Sequence, residues 1–277
     1  MPEETYTDLA IKRQAMLERL KSGQVKDFTA EINKLDDMTR RAIGASGDDL
    51  SALSRGRLEE LLKDLRSDQG AVFKAATESF LSGAESIALL YAAQEAQDLV
   101  KTSTVTATQL EKFSKKRLFA KVLARPLTTA GNLLEPWVKR FTETAMDAVG
   151  GAIRSGYIQG QTNRQITKAV VGTKGTNFRG SAFAKIKRNA STVVRTSVQH
   201  VASAARQETW EGNSKIIKRY QFLATLDGST SQICRSLDLK EFELKKGPIP
   251  PLHPNCRSTT IPVISDKYKF LTEGEKR

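Results

Sequence analysis

The stretch Phe222–Val263, FLATLDGSTSQICRSLDLKEFELKKGPIPPLHPNCRSTTIPV, decides how the C-terminal part of this chain folds. It contains both cysteines of the protein, Cys234 and Cys256. It also contains His253, one of the two histidines. The residues with the most distinctive chemistry therefore lie in one segment.

The local patterns in and around this stretch predict a small module that contains β-strands. Residues 215–226 are rich in β-branched and aromatic side chains, which favour a strand. Residues 227–237 indicate a turn that leads into a short helix, and 240–244 and 257–264 indicate two further strands. The prolines of 247–255 exclude a helix and predict a rigid extended loop.

The remainder of the chain shows the spacing of apolar residues that is typical of helices. This spacing predicts helices within 5–43, with a break at Gly23, and further helices over 50–101, from Pro136 onward and over 183–210. The expected fold is mainly α, a long-helix bundle with a small α+β C-terminal module. The predicted regions are a helical N-terminal region at 1–130, a helical core at 131–212 and a small basic β-containing module at 213–277.

Length and composition limit the class of protein. A chain of 277 residues can bury a sizeable core. It has no apolar run of the ~18–20 residues needed to cross a membrane, and its acidic start lacks the apolar region of a secretory signal. Because two cysteines do not make a disulfide framework, we expect a reducing compartment.

Positive charge is concentrated in the C-terminal part. Residues 1–163 hold 23 Lys+Arg against 22 Asp+Glu, whereas 164–277 hold 21 against 9. This asymmetry favours contact with a polyanion such as nucleic acid. A solvated basic surface, or one that meets an acidic protein, remains the alternative. The candidate nucleic-acid contacts are Arg179, Lys185, Lys187, Arg188, Arg195, Lys245, Lys246 and Arg257.

The spacing C-x18-H-x2-C of Cys234, His253 and Cys256, with Asp227 upstream, suggests a zinc site. Thiolate, imidazole and carboxylate are all zinc ligands, and four of them close a tetrahedral structural site. Three alternatives stay open. The side chains could hydrogen-bond within loops while the thiols pack as apolar groups, the two cysteines could form a disulfide, or a cysteine could act as a nucleophile beside His253.

Two motifs in this stretch resemble a known family. The run D-G-S-T-S-x-x-C-R-x-L-D at 227–238, followed by P-P-L-H-P-N-C-R-S at 250–258, is similar to the signature of the Mu F-like phage head morphogenesis proteins, which are minor capsid proteins. The preceding helix VVRTSVQHVASAARQ at 193–207 also resembles that family. The likeness covers roughly 135–264. It departs at Ser231 and Ser258, where members often have cysteine, and at Leu239, where they often have glycine.

The resemblance implies a non-enzymatic virion protein, made in the host cytoplasm and located in the head interior or at the portal vertex. Its partners would be the portal or major capsid protein and packaged DNA, with a homo-oligomer around the portal. Its role would be in head morphogenesis or in early DNA delivery, including ejection with the DNA. The alternatives are a zinc-stabilised nucleic-acid-binding protein without a head role, and an injected enzyme.

Overall fold

The computed structural model describes residues 5–46, 49–111, 114–176 and 178–271. It is 66% helical, and a three-stranded antiparallel sheet lies in the C-terminal region. The helices are α1 (Tyr6–Gly44), α2 (Arg55–Thr102), α3 (Lys115–Ala124), α4 (Leu134–Ile158), α5 (Asn163–Val170), α6 (Ala182–Gly212) and α7 (Gln232–Leu237). The strands are β1 (Ile217–Leu223), β2 (Glu241–Glu243) and β3 (Thr259–Ile264). The predicted fold class is confirmed. None of the described helices combines the length and apolarity that a membrane span requires.

The chain divides into two compact units that are discontinuous in sequence. Unit 1 comprises 1–23, 82–135 and 195–277, and unit 2 comprises 24–81 and 136–194. Helices α1, α2, α4 and α6 contribute residues to both units. The division along the chain at 1–130, 131–212 and 213–277 stays a prediction.

Unit 2 is organised around a cluster of phenylalanine rings. Phe28 and Phe80 meet edge to face with ring centroids 6.2 Å apart, and Phe73 and Phe141 do so at 6.1 Å. Phe28 also contacts Phe141 at 6.1 Å. Such geometry places the positive edge of one ring against the negative face of another. The helix predicted from Pro136 onward therefore contributes Phe141 to this cluster.

The sheet of unit 1 has the order β2-β1-β3, and both pairs are antiparallel. Tyr220 in the central strand lies opposite Phe242 of β2 and Pro262 of β3. Proline cannot donate to a strand ladder, so it fits an edge strand such as β3. The ring of Trp210 at the end of α6 stacks on Tyr220 with centroids 6.2 Å apart, which joins the sheet to the helices.

A buried carboxylate lies at the centre of unit 1. Glu95 of α2 is 5% exposed, and its Oε1 accepts hydrogen bonds from the Tyr6 hydroxyl and, at 2.6 Å, from Trp210 Nε1. Its Oε2 lies 3.3 Å from the guanidinium of Arg206, which donates in turn to the carbonyl of Thr260 at 2.8 Å. Burial raises the pKa of Glu95, and the adjacent guanidinium opposes that effect. One ion pair therefore connects α1, α2, α6 and β3.

Two local features of the helices have clear physical causes. Thr162 caps α5 with a reciprocal capping box to Gln165, and both groups that define this motif are satisfied. The predicted break at Gly23 is wrong, because α1 runs without interruption from Tyr6 to Gly44. A single glycine costs a helix only about 1 kcal/mol, and burial of Leu17 and Phe28 on either side of Gly23 outweighs that cost.

Replacing Glu95 by glutamine should destabilise the protein by about 3–5 kcal/mol, because it leaves the buried charge of Arg206 without its counter-ion. The matched control is Asp147→Asn, which breaks the exposed Arg66–Asp147 pair; exposed pairs contribute little. Chemical denaturation of both variants measures the loss. Equal losses would show that the buried pair has no special role.

Candidate metal centre

The three candidate ligands are presented by α7 and by the loop that connects β2 to β3. Ser231 caps α7, and its Oγ accepts from the backbone amide of Cys234 at 3.3 Å. In the proline-rich loop, the amide of Cys256 donates to the carbonyl of His253 at 3.2 Å, which forms a tight turn. This turn brings His253 and Cys256 to the same side of the loop, facing α7.

The structure brings Cys234, His253 and Cys256 together. Cys234 Sγ lies 3.3 Å from His253 Nε2 and 3.8 Å from Cys256 Sγ, and all three ligand atoms lie within 4.8 Å of one another. Zn–S bonds of ~2.3 Å and Zn–N bonds of ~2.0 Å at tetrahedral angles would separate two sulfurs by about 3.8 Å and sulfur from nitrogen by about 3.5 Å. The two distances from Cys234 therefore fit the ligand spacing of a tetrahedral zinc site.

The orientation of the imidazole also fits a ligand role. His253 Nδ1 lies 2.9 Å from the carbonyl oxygen of Pro254. A carbonyl only accepts, so Nδ1 carries a hydrogen, and Nε2 is the ring nitrogen that faces Cys234. Metal-binding histidines usually donate their second ring N–H to a carbonyl or carboxylate in this way.

The environment shifts the pKa values of the two thiols in opposite directions. A hydrogen bond from the Cys256 thiol, helped by Ser231 and Ser258, lowers the pKa of Cys234, although burial opposes the shift. The same interaction, together with burial, raises the pKa of Cys256. Serine therefore contacts the cluster at both positions where family members often carry cysteine. Two sulfurs and an imidazole are ligands that suit zinc.

Asp227, the fourth predicted ligand, lies outside this group. Its two carboxylate oxygens accept from the guanidinium of Arg257 at 2.6 and 2.7 Å. This pairing is the main reason that the pKa of Asp227 is lowered to about 2. Because Arg257 adjoins Cys256, the ion pair fixes the loop beside the cluster, and Asp227 acts on the candidate centre only through that loop.

The geometry also bears on the two covalent alternatives. A disulfide would require the sulfurs to close from 3.8 Å to about 2.05 Å. Catalysis by Cys234 would require a substrate to reach a residue that is 1% exposed. Both cysteines are buried and His253 is half-buried, whereas catalytic metal sites keep one position open to substrate.

Lys21 contacts the carbonyl of Cys256, and the sequence did not predict this contact. Its ammonium is fully buried in unit 1 and donates to Glu18 at 2.6 Å, to Gln199 at 2.7 Å and to the carbonyl of Cys256 at 3.0 Å. Burial lowers the pKa of Lys21. The only available signal was a lysine at an otherwise apolar position of the helical stripe, which is too weak to identify a partner 235 residues away.

The eight candidate nucleic-acid contacts fall into two groups. Five of them make ion pairs within the chain, namely Lys187 with Asp36, Arg195 with Glu18, Lys245 with Glu211, Lys246 with Glu243 and Arg257 with Asp227. Arg179, Lys185 and Arg188 are exposed and pair with no carboxylate in the part of the chain that the structure describes. These three are therefore the candidates that have no internal carboxylate partner among the described residues.

If Cys234, His253 and Cys256 hold zinc, the purified protein should contain about one zinc per chain and lose thermal stability on chelation, because binding energy at a structural site is folding energy. His253→Ala and Cys256→Ser should abolish both effects. Asp227→Asn is the matched control and should retain zinc, since Asp227 pairs with Arg257. Metal analysis, melting curves and free-thiol titration test this. A metal-free protein without titratable thiols would instead establish the disulfide.

Comparison with curated proteins and with solved structures gives no significant match. A family model does match, under the description Phage Mu protein F like protein, over residues 147–261. The matched region includes α5, α6, α7, the strands β1 and β2, the first half of β3 and all three candidate ligands. The resemblance predicted from the signature is confirmed, because residues 147–261 of this chain are similar to the family described as Phage Mu protein F like protein.

Proposed function

We propose that this protein is a minor structural protein of a tailed-phage head, associated with the portal or capsid and with packaged DNA. The observation that carries the proposal is the family match over 147–261, which suggests a phage head morphogenesis protein and a component of the virion. The family also implies a non-enzymatic role. Its action would be in head assembly or in early DNA delivery, as a homo-oligomer around the portal.

The charge of the matched region supports contact with DNA. Residues 148–207 contain ten Lys or Arg and no Asp or Glu. Binding to duplex DNA is dominated by neutralisation of phosphates, and it needs cations that are free of internal partners. Such cations occur in unit 2, where Arg164, Lys168 and Lys174 are exposed along with Arg179, Lys185 and Arg188.

A zinc-stabilised nucleic-acid-binding protein without a head role is the second candidate. The Cys–His cluster favours it, because a structural metal often stabilises a small module that would not otherwise hold its fold. The same basic residues would then contact cellular nucleic acid. The two candidate functions are distinguished by whether the protein is found in phage particles. They are not distinguished by its zinc content.

The triple variant Arg179→Gln, Lys185→Gln, Arg188→Gln should bind duplex DNA more weakly than the wild type. Three lost phosphate contacts should also reduce the slope of log Kobs against log salt by about 2.7. Fluorescence anisotropy with the full chain at several salt concentrations measures both quantities.

The control for this experiment removes the same charge from paired residues, as Lys187→Gln, Lys245→Gln, Lys246→Gln. Its salt slope should stay closer to that of the wild type. Equal slopes for both triple variants, or no binding by the wild type at low salt, would remove the DNA contact from the proposal.

Quantitative mass spectrometry of DNA-filled particles and of particles that have ejected their DNA tests the head role. We expect the protein in filled particles at a fixed ratio to the portal protein. Its presence in emptied particles as well would establish a retained component, and its loss would establish ejection with the DNA. Absence from both kinds of particle would contradict the proposal.

A further inference from the structure

A half-open groove of about 840 Å³ lies beside α2 in unit 1. One wall is α2 between Leu89 and Lys101, and the other is formed by residues 107–111 and the start of α3. Most of the lining residues are alanine, leucine or valine. The volume falls within the range of about 300–1,000 Å³ that is usual for ligand sites, so the groove can receive the side chains of a partner.

The exposed face of α2 beside this groove carries no charge over about four turns. The charged residues of this stretch, Glu95 and Asp98, are buried. The exposed residues recur at alternating steps of four and three, and they are Ser86, Leu90, Ala93, Gln97 and Val100. At about 100° per residue, these five positions lie within about 80° of one another around the helix. Because the solvent face of a helix usually carries charged side chains, this uncharged seam indicates a contact surface.

The spacing of the seam fits a second helix. Alternating steps of three and four residues are those with which one helix packs against another. Leu90 and Val100 are 38% and 36% exposed, and Ala93 between them is small enough to let a partner helix approach closely. An extended segment, whose side chains alternate with a period of two, would not match this spacing.

The rim of the groove is positively charged. Residues 112–134 contain six Lys or Arg and no Asp or Glu. Lys115 lines the groove and Lys116 follows it, and both are exposed and pair with no carboxylate in the described part of the chain. Lys101 also lines the groove, and Glu111 is the one acidic residue among the described lining residues. A positive rim complements acidic residues on a partner and disfavours basic ones.

We propose that the groove binds an acidic amphipathic helix of a partner protein. The apolar face of that helix packs along the seam, and its acidic residues face Lys101 and Lys115. Recognition of a helix in a groove depends on apolar residues at such helical spacing. This inference rests on α2 and the start of α3 and not on the proposed head role, so its failure would leave that role untouched.

Fluorescence anisotropy with the full chain and labelled peptides of about 18 residues, long enough for an isolated helix to form, tests the proposal. The acidic probe carries leucine at alternating steps of three and four residues, with glutamate and alanine elsewhere. The basic probe has lysine in place of each glutamate. The acidic probe should bind at least about tenfold more tightly, because the basic probe meets like charges at the rim.

Three variants locate the binding on the seam and the rim. Ala93→Asp should abolish binding of the acidic probe, since it places a charge in the middle of the seam. The matched control is Ala75→Asp, because Ala75 is an exposed alanine of α2 that does not line the groove, and this variant should bind as the wild type does. The double variant Lys115→Glu, Lys116→Glu should reverse the preference and favour the basic probe.

No binding by the wild type, equal affinity for the two probes, or an unchanged preference in the double lysine variant would each overturn the proposal. Sedimentation analysis of the wild type and of Ala93→Asp adds a further test. A wild-type dimer that Ala93→Asp dissociates would show that a second copy of the chain occupies the groove, and this result would overturn the proposal as well.

Discussion

The buried pair of Glu95 and Arg206 is the interaction on which unit 1 depends. Two charges that are each about 5% exposed are held 3.3 Å apart. Such a pair contributes little net stability because both charges lose hydration, but it strongly disfavours any arrangement that separates them. Tyr6 and Trp210 complete the shell of the carboxylate, and Thr260 accepts from the guanidinium. The pair therefore determines where the N-terminal helix and the last strand must lie.

A second polar network, built on that frame, holds the cysteine-bearing loop. Lys21 of α1 donates to the carbonyl of Cys256, and Gln199 of α6 donates to the carbonyl of Ser258. The loop is thus fixed from two helices, on either side of Arg257. This explains how Cys256 and His253 can lie near Cys234 through protein contacts alone. A metal site whose side chains are already in position loses less conformational entropy when the metal ion binds.

The features that sequence reasoning found are those with a local cause. The strand at 217–223, the short helix after the 227–231 turn and the rigid proline loop follow from residue types within each segment, and the C-x18-H-x2-C spacing marked the cluster. Glu95 and Lys21 could not be found in this way, because their partners lie 115 and 235 residues away. Leu239 stands where family members often have glycine, and only the backbone shows why glycine suits this position. Its φ is +60°, in the left-handed region that favours glycine.

The predicted DNA contacts show the same limit of prediction from sequence. A list of basic residues cannot distinguish a cation that is free from one whose charge is already compensated. Asp36 and Glu18, which compensate Lys187 and Arg195, come from the N-terminal part whose own charges nearly balance. The exposed cations of 164–188 that pair with no carboxylate among the described residues belong to unit 2, whereas the cysteine cluster belongs to unit 1. The proposed DNA contact and the candidate metal centre thus rest on separate residues, so the loss of one by substitution does not require the loss of the other.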